Sequence, residues 1–321
     1  MLNIHGGNEN YTGAWDNPPS TEEEFQYYKD YLEAIAIHYK NRGLIYEIYY
    51  EPYFIWRFTP EEFANIVQIS KDTITSYDPS AIIISGGMYI KDETYVYSFL
   101  QSNGFDDIDF FGLHSYWRDA ELLTNHIESF NDQYSVLGKP LPKYWDTEWG
   151  YWGDSRNSAE IIQQANRTVR QYLSVLKNGL EGSISWCYID ISVEEYCGLL
   201  TVDYEKKQSY HSLKLLKDIT SGRLLIGELE NLPELTYGLR LDGSHDVMYV
   251  IWNTEYESET NPTISVPYGS VAIDYLGNPV LLEDDGDSLT FQVNLLNSPV
   301  YVNCSECKTS LKPIYLPLIN K

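Results

Sequence analysis

Up to about residue 220 the chain alternates short apolar runs with stretches of helical period. Leu44-Ile45-Tyr46-Glu47-Ile48-Tyr49-Tyr50-Glu51 reads as an apolar strand, stopped by Pro52, which has no N–H for a ladder. Ala81-Ile82-Ile83-Ile84-Ser85 is a continuous apolar run, as expected of a strand covered on both faces. Leu2–His5, Ile108–Tyr116, Lys143–Glu148 and Gly182–Tyr188 bring the expected strands to six. Between them Phe25, Tyr28, Leu32, Ile35 and Tyr39 recur at three- or four-residue steps, one helical stripe over about 21–42. Thr21 with Glu24 makes a capping box, and Gly43 closes the helix. Thr59-Pro60-Glu61-Glu62 opens a second helix that ends before Pro79. Further helices are expected over 93–102, 119–137, 157–177 and 209–220.

This alternation defines a parallel α/β class. With strand tips carrying polar groups, it predicts a TIM-type (β/α)8 barrel, here with about six βα units where eight are needed. After about Gly222 the helical period disappears. Short alternating strands follow, at 248–252, 271–274, 289–293 and 300–302, separated by turns such as Asp285-Gly286-Asp287. They predict an antiparallel β-sandwich. The expected domains are 1–221, a barrel, and 222–321, a sandwich.

Composition narrows the partners. The net charge of −25 argues against nucleic acid or an anionic membrane as partner. No apolar run is long enough to span a membrane, and Met1-Leu2-Asn3-Ile4-His5 is not a signal peptide. The 29 Tyr and 8 Trp serve mainly packing, and some of them suit stacking on sugar rings. Cys304-Ser305-Glu306-Cys307 has no second pair or neighbouring His, so no zinc site is expected. Cys187 and Cys197 fit either a disulfide or buried thiols.

The chemistry gathers at strand tips. Glu51, His114 with Tyr116, Glu148 and Trp186 each end a strand, and only a barrel rim brings them together. Two carboxylates facing each other are what glycosidic hydrolysis requires, one to protonate the leaving oxygen and one to attack. Glu47, Tyr49 and Asp146 share strand parity with these groups and are expected to fill or polarise the interior.

In these motifs the chain resembles the clan A glycoside hydrolases. Tyr50-Glu51-Pro52 is similar to their strand-4 Asn-Glu-Pro, His114-Ser115-Tyr116 to strand-6 His-x-Tyr, and Thr147-Glu148-Trp149-Gly150 to the strand-7 motif. Trp186 matches the strand-8 tryptophan, and Ser298-Pro299-Val300-Tyr301-Val302 resembles the appended β-domain of family 39. The resemblance implies a retaining mechanism with Glu148 as nucleophile and Glu51 as acid/base. It implies that Tyr116 bonds the nucleophile and that His114 supports the acid/base or a sugar hydroxyl. Trp186 would floor the sugar site, with Trp56, Trp117, Trp149 and Trp152 as candidate walls. Their carboxyl groups should stand about 5–5.5 Å apart, in environments that separate their pKa values.

Two departures follow. Tyr50 stands where the family has Asn. One strand precedes Glu51 where the family has three, so an incomplete barrel with two open edges is expected, with pairing to another copy as one outcome. A catalytically silent carbohydrate-binding relative is the alternative. A metal-dependent barrel hydrolase is a third reading, disfavoured because no strand end carries a His-x-His set. The expected partner is a carbohydrate, with no cofactor and no metal, and the resemblance implies an extracellular location.

Overall fold

A computed structural model describes residues 1–5, 7–14, 16–89, 93–102, 108–116, 119–192, 195–254, 262–293 and 298–307. The chain divides into two compact units. The first holds Met1–Trp117, Leu122–Trp149 and Leu180–Ser185, the second Arg118–Glu121, Gly150–Gly179 and Trp186–Lys321. Residue 221 lies inside the second unit.

The first unit is α/β. Its elements are β1 (Leu2–Ile4), α1 (Glu9–Thr12), α2 (Glu22–Tyr39), β2 (Ile45–Ile48), α3 (Pro60–Tyr77), β3 (Ile82–Ser85), α4 (Glu93–Gln101), β4 (Phe111–His114), α5 (Leu122–Ser135), β5 (Tyr144–Trp149) and β6 (Gly182–Ser185). Both capping boxes form: Thr21 and Thr59 accept from the N3 backbone, and Glu24 and Glu62 bond back. β1-β2-β3 and β4-β5-β6 are parallel ladders. Parallel bridges from Ile84 to Phe110 and from Met88 to Leu113 join them in chain order. Among the described strands β1 and β6 remain edges, so the barrel is not closed. An aromatic file runs through the core: Phe63 to Phe99 at 4.9 Å between ring centres, Phe99 to Phe111 at 6.4 Å, and Phe111 to Phe130 at 5.6 Å. It ties α3, α4 and α5 to β4, each ring contributing about 1.5–3 kcal/mol through burial.

The strand expected over 44–51 ends at Ile48. Tyr49 and Glu51 both adopt positive φ, 53° and 48°. Tyr49 N–H makes the last ladder bond, to Ile4 O at 2.7 Å, and the chain then turns. Glu51 therefore sits in a turn beyond the strand. Two left-handed non-glycine residues cost on the order of 1–3 kcal/mol each, so the surroundings must hold them. Glu51 N–H donates to Gly87 O at 3.0 Å, anchoring the turn to the end of β3.

The second unit joins two helices to antiparallel strands. α6 (Ser158–Lys177) and α7 (Gln208–Thr220) precede β7 (Leu224–Glu228), β8 (Thr236–Asp242), β9 (Val247–Asn253), β10 (Thr263–Val266), β11 (Ser270–Ile273), β12 (Pro279–Val280), β13 (Glu283–Asp284), β14 (Leu289–Gln292) and β15 (Val300–Cys304). A six-stranded sheet runs β12-β11-β15-β9-β8-β7, and a three-stranded one runs β10-β14-β13. β9 shows why. Val247, Tyr249 and Ile251 join Ile264, Val266 and Phe291 of the smaller sheet in one core. Met248, Val250 and Trp252 join Val169, Leu173 and Leu216 of the helices in another. The period of two thus feeds two cores from one strand. The sequence places a short alternating strand at 248–252; in the structure the strand runs over Val247–Asn253 and every residue of it is buried.

Among the helices of the second unit, Arg170 and Glu121 form a buried ion pair, with Arg170 Nε to Glu121 Oε1 at 2.8 Å. Trp252 Nε1 donates to the same oxygen at 2.7 Å. Burial alone would raise the Glu121 carboxyl; the Arg170 charge and these bonds outweigh it and hold it low. Cys187–Cys197 and Cys304–Cys307 are disulfides. No helix among the described residues is long and apolar enough to cross a membrane.

Removing one partner strands a buried charge. Arg170→Met should therefore destabilise the second unit by about 3–5 kcal/mol, measured by urea unfolding.

Candidate active site

The strand ends of the first unit bring Glu51, His114, Tyr116 and Glu148 together. β5 carries the decisive irregularity. Leu113 pairs with Asp146, yet His114 pairs with Glu148, so Thr147 is an extra residue, a bulge. Bulges re-aim neighbouring side chains. Here the bulge sets Glu148 level with His114, and Tyr116 donates its hydroxyl to Glu148 Oε1 at 2.6 Å. Asp146 is buried and accepts from Ser115 Oγ at 2.7 Å.

His114 is 1% exposed and pairs through Nδ1 with Glu51 Oε1 at 3.0 Å. The same nitrogen lies 4.0 Å from Glu148 Oε1. Oxygens of Glu51 and Glu148 fall within 4.8 Å of each other. Both carboxylates keep about a fifth of their side-chain surface open, 22% and 20%. Both acids thus stay partly open to solvent.

Glycine makes the His114 position possible. A Cβ on Gly87 would lie 2.0 Å from His114 Nε2 and 2.6 Å from Thr147 Oγ1. A Cβ on Gly86 would lie 1.6 Å from Tyr49 O. Only residues without a side chain let the end of β3 pass between the Tyr49 turn and the imidazole. The pair was visible in the sequence as Gly86-Gly87 after an apolar run; its purpose was not.

Glu47 lies beneath this cluster, 4% exposed. It accepts from Asn3 Nδ2 at 2.8 Å and from Gly87 N–H at 3.2 Å. Burial pushes its carboxyl up, against the opposing pull of Thr147, His114 and those two donors. For His114, burial pulls the imidazole down; the bond to Glu51 and the charges of Glu148, Glu47 and Glu51 win, and its pKa rises. Tyr116 is driven up by burial and by its bond to Glu148, so it stays a donor.

Tyr50 feels the charge of both acids. Burial raises its hydroxyl, and the charges of Glu148 and Glu51 add to that. Trp56 is 2% exposed and packs edge-on to Tyr49 at 4.9 Å and Tyr50 at 6.5 Å. Trp149 is buried to 1%, its Nε1 donating to Ser183 Oγ at 2.7 Å within the β5–β6 pair. Trp152 and Trp186 belong to the second unit and are 53% and 43% exposed. Trp117 lies outside the described residues. Glu51, His114 and Glu148 each offer one ligand atom in a set close enough to hold a metal ion, a grouping that the absence of a His-x-His set at the strand ends did not reveal.

Residues 59–189 match the family described as glycosyl hydrolase catalytic core, a span that includes His114, Tyr116 and Glu148 and begins after Glu51. No curated protein matches the chain at the sequence level. Solved structures share the fold. A family 39 glycoside hydrolase from the gut symbiont Bacteroides cellulosilyticus WH2 aligns with TM-score 0.71 at 19% identity, over 89% of this chain and 62% of that one. The chain thus spans under two thirds of that protein. A family 39 β-xylosidase from Caulobacter crescentus aligns at 0.62 and 15%, over 88% of this chain and 72% of that one. A family 30 endoxylanase from Clostridium papyrosolvens C71 aligns at 0.60 and 15%, over 91% and 74%. The resemblance expected from the motifs is borne out: residues 59–189 match a glycosyl hydrolase catalytic core, and the chain is similar in fold to solved glycoside hydrolases of families 39 and 30.

Gly87→Ala should break the His114–Glu51 bond, because the added Cβ would lie 2.0 Å from His114 Nε2 and force the imidazole to move; stability should fall by about 1–3 kcal/mol and the His114 Nδ1 resonance should shift in NMR spectra. The raised His114 value carries a sign. Stability from its protonation is complete below the ordinary value of 6.5 and is lost as pH rises through the folded value. Urea unfolding should show stability declining above that pH, and His114→Asn should flatten the decline.

Proposed function

We propose that the chain is a retaining glycoside hydrolase. The observation that carries this is the Glu51–Glu148 pair, with oxygens within 4.8 Å. Retaining enzymes hold their carboxyl groups about 5–5.5 Å apart, and inverting ones about 6.5–9.5 Å. Glu148 attacks the anomeric carbon while Glu51 gives its proton to the departing oxygen. A glycosyl-enzyme ester forms as the glycosidic bond breaks. Glu51, now a base, takes a proton from water, and the resulting hydroxide equivalent releases the sugar and frees Glu148. Tyr116 steadies Glu148 through its hydroxyl. His114 holds Glu51 in place through Nδ1. In this reading the parallel sheet is an arc of a TIM-type barrel and the antiparallel part a β-sandwich.

The substrate is a neutral poly- or oligosaccharide. Two fold neighbours are a β-xylosidase and an endoxylanase, which makes xylose-based chains the first to try. We read the protein as extracellular, supported by its two disulfides. The edges β1 and β6 make pairing with a second copy part of the same reading.

Tyr50 favours a second reading, a silent carbohydrate-binding relative, since it fills the position from which the family's Asn reaches the sugar. The Glu51, His114 and Glu148 set favours a third, a metal-dependent hydrolase. One experiment separates the three. A mechanism-based 2-fluoro-glycoside should leave a covalent adduct on Glu148, read by mass spectrometry of peptides. Glu51→Gln should lower turnover of aryl β-glycosides by about 10²–10⁴-fold. Binding without adduct supports the silent relative, and activity abolished by chelator and restored by metal supports the third.

A further inference from the structure

A second concavity opens beside the tip of β1, in the first unit. Its volume is about 240 Å³, and four tyrosines line it: Tyr11, Tyr27, Tyr28 and Tyr31. Tyr27 and Tyr31 stand one helical turn apart on α2, so they share a face. Tyr28 is buried beneath, with its hydroxyl 2.7 Å from Ser70 Oγ, and forms the floor. Tyr11, on the short α1, lies 4.5 Å from Tyr27 between ring centres. The upper rings stay open: Tyr11 is 53% exposed, Tyr27 37% and Tyr31 42%. Three large rings left in water around one hollow are unusual for packing alone and mark a contact surface.

The polar lining says what would fit. Asn8, Thr12 and Glu24 offer amide, hydroxyl and carboxylate groups at the rim. Glu24 gives Oε2 to Ser20 and Thr21, which leaves Oε1 for a further donor. The single titratable base in the lining is His5, and burial lowers its pKa, so it is neutral near pH 7. A hollow with a carboxylate and no cation rejects phosphates, uronates and other anions. Aromatic faces with hydrogen-bonding groups at their edges suit a neutral sugar, whose C–H face stacks while its hydroxyls pair. The volume is below that of most ligand pockets, which suits one sugar unit better than a larger cofactor.

The hollow and the candidate active site share a neighbour. His5, which lines the hollow, follows β1, next to β2 in the sheet, and its ring lies 5.3 Å from the buried Trp56 and 6.4 Å from Tyr50. Tyr50 in turn precedes Glu51 in the chain. The rim of the hollow therefore lies one ring away from the turn that carries Glu51.

We propose that the tyrosine hollow is a remote subsite that holds one neutral sugar unit of the same oligosaccharide whose bond lies at Glu51 and Glu148. It rests on the glycosidase reading for the identity of the chain that reaches it. The chain is then bound at two places, and longer substrates are preferred over single-sugar glycosides.

Two measurements test it. In the first, Tyr31→Ala is compared with wild type on a neutral xylo-pentaose and on an aryl β-xyloside. The KM for the pentaose should rise about tenfold relative to the KM for the aryl glycoside, the loss of roughly one stacking contact. An equal change for both substrates would overturn the proposal. The second uses Glu148→Gln to stop turnover, with tyrosine-labelled protein titrated with xylo-pentaose and gluco-pentaose and followed by NMR. Ring resonances removed by Tyr27→Phe or Tyr31→Phe should be among those that shift. If aryl glycosides are cleaved while these rings stay silent with both sugars, the subsite is wrong and the glycosidase reading stands. If the rings respond while nothing is cleaved, the subsite stands and the glycosidase reading fails.

Discussion

Glu51 comes within reach of Glu148 because the chain leaves β2 through two residues with left-handed backbone. Glu51 N–H, donating to Gly87 O, ties that turn to the end of β3. The same glycine leaves the space that His114 occupies. One narrow contact, the end of β3 passing between the Tyr49 turn and the imidazole, thus fixes both partners of the His114–Glu51 bond. The strain of the turn and the closeness of the glycines are two sides of one arrangement.

The electrostatics follow from this crowding. Three carboxyl groups, Glu47, Glu51 and Glu148, surround a single buried imidazole. Water is too scarce there to screen them, so the imidazole gains protons and the buried Glu47 resists ionising. Tyr116 and Tyr50 respond in the same direction, holding their hydroxyl protons beside negative neighbours. The cluster therefore presents hydrogen-bond donors toward its acids.

The second unit is held by different means. β9 is buried on both faces and serves two cores, and the Arg170–Glu121 pair with Trp252 adds a polar tie that burial makes costly to break. Its strength comes from layering. The first unit relies on a file of phenylalanine rings behind its parallel strands.

Much of this was written in the chain. Local rules sufficed for the helices, since Thr21 with Glu24 and Thr59 with Glu62 cap their own helices whatever surrounds them. The six apolar runs and their order placed Glu51, His114, Tyr116 and Glu148 at strand ends, and a parallel sheet can only gather such ends on one side. What the sequence left undecided depended on contacts between distant segments. The turn that ends β2 fits because Gly86 has no side chain beside the Tyr49 carbonyl, the level of Glu148 is set by the extra residue Thr147, and Trp149 turns inward to bond Ser183. β7, β8 and β10 are not among the strands read from the sequence; β10 alternates over only four residues, too short a run to stand out without its neighbours in the sheet. A period of two tells which residues share a face; whether both faces are covered, as in β9, is decided only when the other layers arrive.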